Sequence, residues 1–149
     1  MIPKYISSHI TFIEATYSEV ALENFIDNTP NELQLNNMIL VAEKVFEPVR
    51  NYLNIPIHVN SFFRCEKLNK LIGGAKNSQH CTGQAIDISI NPKMNKKIFD
   101  WINENLEFDQ IINEDNYTWI HISYALNNCR NMTLKSYKDT KGNTKYLPI

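Results

Sequence analysis

The stretch Ala85–Ile90 reads AIDISI, an apolar, β-branched run with a carboxylate, Asp87, in its middle. A run of that kind predicts a buried strand. An ionised carboxylate in such a strand is costly unless it is paired or bound to a metal. The chain must therefore fold so that a partner reaches Asp87. The nearest candidate is His80, in the turn-rich loop GGAKNSQHCTG that leads into the strand. That loop can curl back over the head of the strand.

A second partner comes from further along. The segments FDQIINE and TWIHISYA read as two strands joined by a short turn at Asp115-Asn116-Tyr117. They place Gln110, Glu114 and His121 inside strand patterns. With Asn116 and Tyr117 as the turn residues, Glu114 faces Trp119 and Ile112 faces His121. Alternate residues share a face, so Gln110, Glu114 and His121 point the same way. His80, Asp87 and His121 then form a set of two imidazoles and one carboxylate. Zinc takes such ligands, and a catalytic site keeps a fourth position for water. Glu114 is the first choice of general base for that water. Asp109 is second, although strand parity turns it away, and Asp115 in the turn is third. Arg64, at the strand-to-helix corner after FF, suits a substrate carboxylate or a developing oxyanion. Ser78, Gln110 and Trp119 complete the expected substrate contacts. Whether Trp119 and Tyr124 line a pocket or fill the core stays open. His9 and His58 have no carboxylate at a telling spacing and read as structural or partly exposed. Adjacent residues of an extended chain point apart, which argues against a His80–Cys81 nucleophile pair.

The remaining elements follow from periodicity and capping. Residues 1–17 read as an irregular or partly extended lead-in. Ser18 caps a helix with Ala21, Leu22, Phe25 and Ile26 on its apolar stripe, ended by Asn28-Thr29-Pro30. A longer helix runs from about Glu32 to Tyr52, with a kink or early stop expected at Pro48. IPIHVNSFF is a strand, Cys65–Ile72 a short helix stopped by Gly73-Gly74, and Pro92 opens another helix. One or two edge strands are expected in the polar tail, around Thr133–Tyr137 and Thr144–Leu147. The sum is one α+β domain over residues 1–149, with helices flanking a small, mostly antiparallel sheet.

Composition narrows the function classes. The formal net charge is −1 and no basic block stands out, so nucleic acid is an unsuitable partner. No apolar run is long enough for membrane insertion. The first residues, MIPKYISSHITF, lack a signal-peptide pattern, so synthesis in the cytoplasm is expected. Cys65, Cys81 and Cys129, an odd number without a CxxC, read as free thiols.

Two motifs resemble a known family. SQHCTGQAID fits Ser-x-His-x-x-Gly-x-Ala-x-Asp, and WIHIS fits Trp-x-His-x-Ser. In this order and spacing they resemble the zinc D-Ala-D-Ala carboxypeptidases and L-alanyl-D-glutamate endopeptidases, most of all the short phage-type members. LNKLIGGAKNSQH and FDQII agree, and the likeness runs from about Ser8 to Tyr124. The resemblance implies a fold like that of the Hedgehog signalling domain and hydrolysis of peptidoglycan stem peptides. It implies zinc on His80, Asp87 and His121, and substrate contact at Arg64. Gly83 and Ala85 would shape the surroundings of the metal. Many members carry an acidic residue three positions before the last histidine. Here Thr118 stands there, and the resemblance to phage-type members points to Glu114 instead. Action on the cell wall would then follow lysis, virion delivery or export by a partner. A non-catalytic zinc-binding or virion-associated module on the same scaffold is the competing expectation.

Overall fold

The computed structural model describes residues 2–149. Its centre is a six-stranded mixed sheet with helices packed against it, an α+β architecture. The strands are β3 (His58–Ser61), β4 (Ala85–Ser89), β5 (Gln110–Glu114), β6 (Trp119–Ser123), β7 (Met132–Lys138) and β8 (Thr144–Pro148), in the order β3-β4-β6-β5-β7-β8. All neighbours are antiparallel except β5 and β7, which run parallel. The parallel step arises because the chain leaves β6, crosses back through residues 124–131, and enters β7 alongside β5.

The lead-in is more ordered than its sequence suggests. A small ladder pairs β1 (Tyr5–Ser7) with β2 (Ile10–Thr11), and α1 (Phe12–Thr16) follows, capped by the Thr11 hydroxyl. Ile6, Ile10 and Ala15 join the core. Ser18 does cap α2 (Glu19–Glu23), accepting from the Ala21 amide. That helix is only 5 residues long, and of its expected stripe Leu22 and Phe25 are exposed. Asn28 then enters the interior: its Nδ2 donates to the Thr16 and Phe63 carbonyls, and its Oδ1 accepts from the Cys65 amide. One buried amide thus fixes both sides of the Arg64 corner.

The long helix neither stops nor kinks into a loop at Pro48. It begins as α3 (Glu32–Val41) under an Asn31–Gln34 capping box, widens to a π-helical turn over Ala42–Phe46, and continues as α4 (Glu47–Leu53). The Glu47 amide donates to the Ala42 carbonyl, five residues back. A wide turn immediately before Pro48 accommodates a residue that has no N–H to offer and a ring that crowds the preceding turn. Met38, Val41, Ala42, Val45, Phe46 and Val49 pack against the sheet. After β3 come α5 (Glu66–Leu71) and a 3₁₀ turn over Gln79–Thr82. Then α6 (Pro92–Asn105) covers the sheet with Ile98, Phe99 and Ile102. No described helix is long and apolar enough to cross a membrane.

Candidate metal centre and cleft

The site is built where β4 and β6 lie side by side. Their register places Asp87 directly opposite His121, so both side chains leave the same face. His80 arrives from the 3₁₀ turn that precedes β4. The turn is held in place by Gly83, which has φ +75° and sits so close to α3 that a Cβ would lie 2.3 Å from the Gln34 carbonyl oxygen. Gln34 and Asn37 of α3 donate to the Cys81 and Thr82 carbonyls.

His80 Nε2 lies 3.2 Å from Asp87 Oδ2, and His121 Nδ1 lies 2.9 Å from Asp87 Oδ1. One ligand atom from each of the three falls within 4.8 Å of the others. His80 Nδ1 is 2.7 Å from the Phe62 carbonyl oxygen, which can only accept, so Nδ1 carries the proton. Burial makes His80 harder to protonate, outweighing the attraction of the Asp87 charge, and His121 and Arg64 push in the same direction. The ring is thus neutral and Nε2 is a bare lone pair aimed at a carboxylate oxygen. Two lone pairs facing each other call for a cation between them. Burial works to raise the Asp87 pKa, yet the polar surroundings of the site, among them the hydrogen bond between Oδ1 and His121 Nδ1, outweigh it and hold the carboxyl below the ordinary aspartate range. A neutral imidazole with its other nitrogen bonded to a carbonyl, an ionised carboxylate and a second imidazole are the donor set that fits zinc.

The centre opens into a cleft of about 800 Å³. Arg64, Ser78, Gln110, Glu114 and Trp119 all line it. Glu114 pairs with Trp119 and Ile112 with His121, the register expected from a turn at Asn116-Tyr117. The turn itself is unusual, since Asp115, Asn116 and Tyr117 all have positive φ. It is held by side chains: Asn113 Oδ1 accepts from the Tyr117 amide, Ser136 Oγ from the Asp115 amide, and buried Asn95 of α6 donates to the Tyr117 and Thr118 carbonyls. Glu114 is buried, and burial raises its pKa above the ordinary glutamate value despite the opposing pull of Ser136 and His121. Arg64 has a buried Nε with no hydrogen-bond partner among the described residues.

Other assignments separate clearly. Asp109 faces away from the centre. It takes a two-pronged bond from Arg130, at 2.7 Å from Nε and 2.6 Å from Nη2, and a third from Gln79 Nε2 at 2.8 Å. Asp115 is exposed at the mouth of the cleft and Thr118 bonds its own turn. Tyr124 belongs to the core. His9 pairs with Glu47 on the surface, and His58 is exposed on β3. Burial raises the Cys81 thiol pKa, the wrong direction for a nucleophile. Sequence reading missed the wall formed by the β7–β8 hairpin, including Ser136, Lys138 and Tyr146. It also missed the Arg130–Asp109–Gln79 chain that steadies the turn carrying His80.

Comparison with known families gives one match: the family described as Peptidase M15 fits residues 9–123. That span holds β1's partner strand through β6, and with them all three metal-type ligands and Glu114. No curated protein matches significantly.

Proposed function

The chain belongs to the Peptidase M15 family, and from that premise we propose that it is a zinc-dependent peptidase acting on peptidoglycan stem peptides. The observation that carries the reading is the neutral His80 lone pair facing ionised Asp87, with His121 alongside, at the floor of an open cleft. His80, Asp87 and His121 would hold the ion. Zinc, when bound, would supply Lewis acidity at the scissile carbonyl and lower the pKa of an attacking water.

The chain's own residues do the rest. Glu114, with its pKa raised toward neutrality by burial, accepts the proton of the attacking water and returns it to the leaving amine. Arg64 lends its guanidinium to a substrate carboxylate or to the developing oxyanion. Ser78, Gln110 and Trp119 supply polar and flat surfaces along the cleft. The substrate is either a terminal D-Ala-D-Ala or an internal L-Ala-D-Glu bond. In both, the residue that supplies the leaving amine carries a free carboxylate, and Arg64 suits either.

The test is mass spectrometry of muropeptides from purified peptidoglycan, digested with and without chelator. New peptide termini that vanish with chelator and return with zinc are expected, and their masses identify the bond. Bound zinc without any cleavage would instead favour a non-catalytic zinc-binding module, and absence of bound metal would remove both readings.

A further inference from the structure

The β7–β8 hairpin lies beyond residues 9–123, the part of the chain that matches the family, yet it forms one wall of the cleft. Its place follows from strand register. Trp119 pairs with Glu114, and Asn113 pairs with Lys135, which sets Ser136 beside Glu114. Ser136 in turn pairs with Tyr146. Trp119, Glu114, Ser136 and Tyr146 therefore form one row across four strands, all on the face that bears His121. Neighbouring strands are about 4.8 Å apart, so Tyr146 starts about 10 Å from Glu114, within the combined reach of the two side chains. The small residue between them, Ser136, leaves that path clear, and its hydroxyl ties the hairpin to the Asp115 amide at 2.9 Å.

We propose that Tyr146 is a positioning residue for Glu114, its phenolic hydroxyl donating a hydrogen bond to the carboxylate and fixing it toward the cleft floor. Both side chains line the same cleft. Tyr146 is half exposed, and partial burial together with the nearby Glu114 and Asp87 charges pushes its pKa up, the direction that favours the donating phenol. Glu114 has few other anchors: Ser136 is the neighbour on its own side, and the strand ladder fixes only its backbone. A base held by a neutral donor keeps its charge while losing its freedom to rotate, and misplacement of a reacting group by a fraction of its reach is costly.

The inference rests on Glu114 serving as the base of the proposed peptidase. Tyr146→Phe keeps the ring and removes only the hydroxyl. The expected result is a kcat about ten- to a hundredfold lower, with KM, zinc content and thermal midpoint unchanged. A kcat equal to that of the parent chain would overturn the proposal. A second measurement does not depend on catalysis. In metal-free protein labelled with 13Cζ-tyrosine, the resonance lost in Tyr146→Phe identifies Tyr146, and it should move in Glu114→Gln. A Tyr146 resonance indifferent to Glu114→Gln would likewise overturn the hydrogen bond. A parent chain that cleaves no peptidoglycan peptide defeats the peptidase reading, whereas the labelled spectra still decide the contact.

Discussion

At the scale of single residues, the proposed peptidase would divide its groups into metal-holding and proton-moving sets. His80 and Asp87 are poised by opposite means, one kept neutral by burial and one kept ionised despite burial, with His121 hydrogen-bonded at its Oδ1. Glu114 stands apart, one row further along the sheet. Glu114→Gln should therefore leave zinc stoichiometry intact while lowering turnover by about 10²- to 10⁴-fold, the usual worth of a general base. Elemental analysis beside a stem-peptide assay checks this, and near-parental turnover would remove Glu114 from the mechanism. The ligand-type residues were legible in the sequence because a charge in an apolar strand demands an explanation, and Asp87 and His121 both stand in such strands. Tyr146 was not legible, because an aromatic residue in a polar tail carries no sign of the strand it will face. Asp109 was readable only as turned away, since its partner Arg130 lies 21 positions on.

At the scale of elements, the Gln79–Asp109–Arg130 chain fastens three segments: the turn bearing His80, the entrance to β5, and the crossover into β7. The hydrogen-bonded Arg130 guanidinium outweighs burial, which pushes the other way, and together with Gln79 leaves the Asp109 pKa below the ordinary aspartate value. A carboxyl whose folded pKa is depressed stabilises fully above its unfolded value and ceases to do so as pH falls through the folded one. Asp109→Asn should thus cost about 2 kcal/mol at neutral pH, where charge-assisted bonds are lost. The gap to the parent chain should close below pH 4, as the parent loses the same contribution. Urea midpoints at pH 7 and pH 3 measure it, and a gap that does not narrow in acid would mean that the ion pair is not its source. The β5–β6 register follows once Asn116 and Tyr117 are the turn residues, although a three-residue turn would have reversed the parity and put Glu114 on the other face. The fate of Pro48 was not legible, since a π turn in the preceding residues leaves no mark in the apolar period. The short α2 escaped for a related reason: its apolar residues obey a helical spacing, but nothing packs over Leu22 or Phe25.

At the scale of the whole molecule, the three ligand-type residues span 42 positions of sequence and meet only once β4 and β6 are paired. An unfolded chain offers no such cluster, so zinc held by these residues would bind the folded state preferentially. Zinc at a hundred times its dissociation constant should add about 2.7 kcal/mol of stability. For a domain of this size that raises the thermal midpoint by several degrees, at about 2–4 °C per kcal/mol. Calorimetry with zinc and then with chelator reads the shift, and His121→Ala should abolish it. A midpoint unmoved by zinc in the parent chain would count against the metal centre itself. The sheet also ends in an exposed strand. β8 is outermost and exposed along its whole length, so its outer backbone groups face solvent beside the mouth of the cleft. Such an edge invites a second copy to add its own strand. Lys145 places a solvated charge along it, and Pro148 removes one amide donor near its end. These two residues make that border a poorer template for a second strand, on the side where the cleft opens.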